Sequence, residues 1–118
     1  MNDEMKQQVR DRVEGFKKRM GLGDWMIDIK FEEGDLPEDD TCEAQIVADQ
    51  KYHDASLTIW KCFWDRDSYR QGASLVHELV HIILWQLHPY LVPAGDDAVE
   101  EVCQRLAMVI LQNWVEVD

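Results

Sequence analysis

The sequence predicts an α+β fold in which an N-terminal helix precedes a small, mostly antiparallel three-stranded sheet and two further helices. Apolar residues recur at three- and four-residue steps in residues 3–20, before Pro89 and after Asp96, which is the period of an amphipathic helix. Residues 25–32 alternate between apolar and polar, and residues 42–48 and 55–60 are also typical of strands. The turn-like residues 49–54 predict a hairpin between the last two strands. Helices on one face of the sheet would complete the fold.

Capping signals set the expected ends of the three helices. Gly21 offers a C-terminal cap for the first helix. The second helix is expected to begin between Asp65 and Ser68, which are good N-caps, and to end before Pro89. The third is expected to begin at Asp96, and its predicted apolar stripe consists of Val99, Val102, Cys103, Leu106, Ile110 and Trp114.

Length and composition predict one domain, residues 1–118, with 46% hydrophobic residues for its core. The charged N-terminus is unlike a secretory signal, and the longest apolar run is too short to span a membrane. The three cysteines, Cys42, Cys62 and Cys103, cannot all pair and form no CxxC motif. We therefore expect free thiols and a cytoplasmic location.

The formal net charge of −12 argues against non-specific nucleic-acid binding, because an acidic surface repels phosphate backbones. Half of the 12 lysines and arginines lie on the first predicted helix. We interpret that basic surface as a solvated helix face rather than a partner site.

The segment His77-Glu78-Leu79-Val80-His81 matches the HExxH pattern. His77 and His81 are about one helical turn apart, so both imidazoles leave the same helix face and can bind one zinc ion. Glu78 is offset by one residue and is expected to act as the general base towards water whose pKa the metal lowers. Because apolar residues surround the motif, a metal site is favoured over a surface helix that matches by chance.

A catalytic zinc needs a third protein ligand, which the sequence leaves open between Glu100 and Glu101. A third histidine at the metzincin spacing is absent, and His88 and His53 are interpreted as loop or structural residues. On a helical wheel Glu100 borders the apolar stripe of the last helix, whereas Glu101 lies nearly opposite it. The wheel therefore favours Glu100.

With His77, Glu78, His81 and a downstream helical glutamate, the chain resembles the glutamate zincins, the thermolysin-like group. The spacing between the second histidine and the ligand glutamate in that group corresponds to Glu101. The wider layout resembles small zincin-like metallopeptidases of phages and prophages. The shared features are the Leu22-Gly23-Asp24-Trp25 entry into the first strand and a turn containing Tyr52.

This resemblance implies a zincin-like core and a narrow-specificity endopeptidase that hydrolyses peptide bonds in a peptide or protein substrate. It also implies that the strand nearest the metal binds extended peptide at its edge, and residues 55–60 are the expected strand. Tyr90, His88 and Tyr69 are the available oxyanion donors. The alternative is a non-catalytic binding or regulatory module that keeps the zincin fold and the metal.

Overall fold

The structure, a computed structural model, describes residues 2–33, 43–49, 51–85 and 96–115. The predicted α+β class and the order of its elements are confirmed in these residues, and a short 3-10 helix that the sequence did not predict precedes the second helix. The bounds are α1, Asp3–Arg19; β1, Met26–Phe31; β2, Ala44–Asp49; β3, Asp54–Ile59; the 3-10 helix, Lys61–Asp65; α2, Ser68–Leu84; and α3, Asp96–Val115.

Side chains and turn geometry set the ends of the first two helices. The Asn2 side chain accepts the backbone N–H of Met5 at 2.9 Å at the start of α1. Gly21, with φ of 75°, follows α1 in the left-handed conformation that glycine adopts without strain, as its predicted capping role requires. At the start of α2, the Asp67 side chain accepts the backbone N–H of Arg70 at 2.8 Å.

The three strands form a mixed sheet in the order β1-β3-β2. The predicted hairpin is confirmed, because β2 and β3 pair antiparallel, but β1 pairs parallel to β3. The expectation of a mostly antiparallel sheet is therefore wrong for half of the strand pairs. Residues 32–53 separate β1 from β3, which is more than the dozen or so residues that a parallel connection requires.

One face of the sheet carries the core. The register aligns Ile29 of β1 with Leu57 of β3 and Ile46 of β2, and Leu57 is completely buried. On the opposite face Met26 and Val47 are exposed, whereas Ser56 and Thr58 of the central strand are half-buried. The apolar face joins residues of α1 and α2 in one buried cluster, as expected for helices on a single face of the sheet.

Helix α2 lies at the centre of the fold, between the sheet and α3. Its apolar side buries Leu75, Val76 and Leu79 completely, and α3 packs against it through small residues that include Cys103 and Ala107. Small side chains allow two helix axes to approach closely. Among the described residues, no helix combines the length and apolar character needed to span a membrane.

Candidate metal centre

The two histidines of the HExxH motif project together from α2. His77 and His81 lie one turn apart, their ring centroids are separated by 5.2 Å, and their side chains are only 13% and 17% exposed. The same-face arrangement expected from the spacing is therefore present. Apolar packing of α2 on both sides fixes the helix that carries them.

Helix α3 places Glu100 against both imidazoles. One carboxylate oxygen of Glu100 lies 2.8 Å from Nε2 of His77, and the other lies 3.1 Å from Nε2 of His81. Glu101 instead pairs with Arg105 on the same helix at 2.8 Å, and both of those side chains are mostly exposed. Of the two alternatives that the sequence left open, the structure brings Glu100 to the histidines and leaves Glu101 at the surface.

The buried side of α3 is rotated from the predicted stripe. Leu106, expected at its centre, is 38% exposed, whereas Ala107 and Leu111 are buried. At 100° per residue, the observed stripe of Val99, Cys103, Ala107 and Leu111 is displaced by about 50° towards Glu100. This rotation brings Glu100 closer to α2 than the wheel predicted. The side chain of Trp114, also predicted in the stripe, lies outside the described residues.

Glu78 occupies the boundary between α2 and the sheet. One of its carboxylate oxygens accepts the backbone N–H of Ile46 at 3.0 Å, and the other lies 3.8 Å from Nε2 of His77. The side chain is 12% exposed, and this burial raises the pKa of Glu78 to about 7, with the nearby Glu100 carboxylate adding to the rise. His77 and the Ile46 N–H oppose this rise in pKa, because both favour the charged carboxylate of Glu78.

The residues that meet here form a group that could hold a metal ion. Ligand atoms of His77, Glu78 and His81 all lie within 4.8 Å of one another, and Glu100 adds two closer oxygens. A tetrahedral zinc with bonds of about 2.0–2.1 Å separates its ligand atoms by about 3.3 Å. The distances of 2.8 and 3.1 Å from Glu100 to the histidines are therefore slightly shorter than zinc ligands require.

Charge at this point also fits a cation. An unprotonated imidazole nitrogen and a carboxylate oxygen both present lone pairs, so their contact needs a proton or a metal ion between them. Nδ1 of His77 lies 2.8 Å from Oε1 of Gln104. An Nδ1–H that donates to this oxygen leaves the lone pair of a neutral His77 at Nε2, towards Glu100. The donor set of two histidines and one carboxylate is one that catalytic zinc sites use.

Two contacts behind the histidines were not predicted from the sequence. Gln104 holds His77, as described above, and Sγ of Cys103 lies 3.4 Å from Nδ1 of His81. Burial, with Glu100 and Glu78 nearby, raises the pKa of Cys103 to about 12, so this residue remains a thiol at neutral pH. The spacing from Glu100 to Gln104 is one helical turn, which is the signal that could have identified Gln104 as a site residue.

His77, Glu78 and Glu100 line an open cleft of about 870 Å³ between α2, α3 and β2. Tyr69, one of the expected oxyanion donors, lines this cleft and is 46% exposed. The other two candidates, His88 and Tyr90, lie outside the described residues, as does Cys42. His53 is not among the residues that line the cleft. Its ring stacks on Trp25, with a centroid separation of 5.0 Å.

Strand β2, rather than β3, offers its edge to this cleft. The expectation that residues 55–60 provide the edge is wrong, because β3 is hydrogen-bonded to β1 on one side and to β2 on the other. Trp60 donates its backbone N–H to the Glu43 carbonyl, so alternate residues of β2, including Ile46, direct their backbone groups away from β3. The bond from the Ile46 N–H to Glu78 shows that this outer edge faces the candidate metal centre.

Comparisons of the chain with protein-family models, with curated proteins and with solved structures found no match. The zincin-like resemblance therefore remains a prediction from the motif.

Proposed function

We propose that this protein is a zinc-dependent peptidase whose metal is held by His77, His81 and Glu100. The observation that carries the proposal is the convergence of both histidine Nε2 atoms on one Glu100 carboxylate, with the Glu78 carboxylate beside them. Two imidazoles and one carboxylate leave a fourth position open, and an open position distinguishes catalytic from structural zinc sites.

Glu78 is the proposed general base. A bound zinc ion supplies a Lewis acid that polarises the scissile carbonyl and acidifies water. Glu78 takes the proton from the attacking water and then delivers it to the nitrogen of the leaving amine. In the zinc-free protein burial raises the pKa of Glu78 to about 7. A bound dication would favour the charged carboxylate, which is the form that can accept a proton from water.

The edge of β2 is the proposed place for the peptide. An extended peptide that adds to this edge would bond to backbone groups that share the outward orientation of Ile46, such as those of Ala48. Its scissile bond would then lie level with Glu78, because the Ile46 N–H binds that carboxylate. The cleft beside β2 is open enough to admit a polypeptide chain.

The alternative is a binding or regulatory module that keeps the metal without hydrolysis. One observation favours it: one of the two carboxylate oxygens of Glu78 accepts a hydrogen bond from the Ile46 N–H. That contact removes a backbone donor from the part of the β2 edge nearest the metal centre. Intact Glu78 favours the peptidase, since a purely structural site has no use for a glutamate at this position.

The test combines metal content with hydrolysis. Purified protein, Glu78→Gln and the surface control Glu101→Gln would be analysed for zinc by plasma emission spectrometry. Each would then be incubated with a defined mixture of peptides, and new termini would be identified by mass spectrometry. The peptidase predicts about one zinc per chain in all three proteins and cleavage by all except Glu78→Gln. Zinc without any cleavage would support the binding module, and absence of zinc uptake would exclude both.

A further inference from the structure

A second charged cluster lies along the same cleft. Its residues on α2, Arg70 and Ser74, precede His77 by about two turns and one turn of the helix. Its centre is Glu43, which is only 7% exposed. The carboxylate of Glu43 accepts Nε–H of Arg66 at 2.8 Å and Nε–H of Arg70 at 3.2 Å, and it also accepts the hydroxyl of Ser74. A buried carboxylate requires such partners, so Glu43 fixes the position of both guanidinium groups.

Arg70 has donors left over after it binds Glu43. Its contact with Glu43 uses Nε, and no other partner of the guanidinium group is present within the described residues. The side chain is 61% exposed and lines the cleft. A guanidinium group that lines a cleft and has two terminal nitrogens without partners among the described residues can bind a carboxylate through paired hydrogen bonds.

Arg70 is the one arginine or lysine among the described residues that line the cleft. The two arginines outnumber the single buried carboxylate of Glu43 that they share. Asp67, the nearest other acid on the chain, directs a carboxylate oxygen to the backbone N–H of Arg70 and caps α2. An anion in the cleft would therefore pair with Arg70, since the other charged lining residues, including Asp67, Glu78 and Glu100, are acidic.

The separation between Arg70 and the metal centre matches a short stretch of extended peptide. Along β2, Glu43 precedes Ile46 by three residues, which corresponds to about 10 Å. Along α2, Arg70 precedes Glu78 by eight residues, which corresponds to about 12 Å. Both elements therefore place Arg70 about three extended residues from the site of hydrolysis.

We propose that Arg70 is a specificity-determining residue that binds a carboxylate of the substrate, three residues to the C-terminal side of the scissile bond. This inference rests on the proposed function. The direction follows from antiparallel addition to β2, the more stable pairing, in which the C-terminal part of the peptide lies towards Glu43. The carboxylate belongs either to an acidic side chain at that position or to a free C-terminus.

The probes are tripeptides that carry a zinc-binding hydroxamate at the N-terminal end. The first has glutamate as its third residue and the second has glutamine, both with amidated C-termini. The third has glutamine and a free C-terminal carboxylate. Binding of each to the zinc-loaded protein would be measured by calorimetry for wild type, Arg70→Gln and Arg105→Gln. Arg105 is an exposed residue of α3, so its replacement removes the same charge away from the Glu43 cluster.

We expect wild type and Arg105→Gln to bind the glutamate probe, the free-carboxylate probe or both about ten-fold more tightly than the amidated glutamine probe. Arg70→Gln should bind all three equally, and the tighter of the two charged probes identifies the source of the carboxylate. Equal binding of all probes to wild type, or a preference that persists in Arg70→Gln, would overturn this inference alone. If no hydroxamate binds the zinc-loaded protein, the peptidase proposal fails and this inference fails with it.

Discussion

Replacing Glu78 by glutamine removes a buried ionisable group and keeps an oxygen that can accept the Ile46 N–H. In the zinc-free protein the carboxyl group is 12% exposed, and its pKa is raised from 4.5 to about 7. Desolvation is the main cause, so the folded state favours the protonated form. Glu78→Gln mimics that neutral form at every pH, and the two proteins should therefore differ only where wild-type Glu78 is charged in the unfolded chain.

The sign of the effect follows from proton binding. Between pH 4.5 and about 7 the unfolded chain loses the Glu78 proton while the folded protein retains it, so wild-type stability falls as the pH rises. Above pH 7 wild type has lost the full amount of unfolding free energy that this pKa shift can remove. At about 1.4 kcal/mol per pKa unit, the loss is about 3 kcal/mol, whereas near pH 5 it is less than about 1 kcal/mol. Zinc-free Glu78→Gln should be more stable than wild type by these amounts.

Urea denaturation followed by tryptophan fluorescence measures this difference. Zinc-free wild type, Glu78→Gln and Glu101→Gln would be compared near pH 5 and near pH 8, and zinc would then be added at the higher pH. Glu101 is a matched control because its side chain is 63% exposed. With zinc, a dication beside Glu78 favours the charged form, so the advantage of glutamine should shrink. Equal stabilisation by Glu78→Gln at both pH values would refute the desolvation argument.

Four further variants test the ligands and the residue that supports them. His77→Ala should abolish zinc uptake, as measured by plasma emission spectrometry. Glu100→Ala should weaken zinc binding far more than Glu101→Ala in competition with a chromogenic chelator, because only Glu100 contacts the histidines; the reverse order would move the ligand to Glu101. Gln104→Leu should weaken zinc binding about ten-fold or more, because His77 loses the acceptor at its Nδ1. An unchanged affinity in that variant would remove Gln104 from the site.

Most of the helices and strands could be predicted because their periodicity is strong. Helix α1 was expected over residues 3–20 and is observed at Asp3–Arg19, and the strand expected over residues 25–32 is observed at Met26–Phe31. Alternation or three- and four-residue steps in the sequence report directly which side of an element is buried. The aromatic segment Lys61–Asp65 shows neither period, and its 3-10 helix was missed for that reason.

The arrangement of the strands could not be predicted in the same way. The hairpin between β2 and β3 is local and was predicted from its turn, but the partner of β1 depends on a long connection whose path no short motif specifies. The error also misplaced the predicted peptide-binding edge. Residues 55–60 were expected at the open edge because they lead into the helix that carries the HExxH motif, and the parallel pairing with β1 places that strand in the centre instead.

In the candidate site, the histidine pair could be predicted from the local sequence pattern, whereas the choice of glutamate depends on how the helices pack. The pair His77 and His81 requires only the helical repeat, so the five residues of the motif were enough to identify it. The choice of Glu100 over Glu101 depends on the rotation of α3 against α2. That rotation follows from the small side chains of Cys103 and Ala107, both completely buried, because the helices approach most closely where side chains are smallest. A helical wheel weights each residue by its hydrophobicity, so the apolar stripe that it predicts is centred on large residues such as Leu106. The close contact of the two helices instead centres on the small ones, and it is this contact that brings a carboxylate on one helix to two imidazoles on the other.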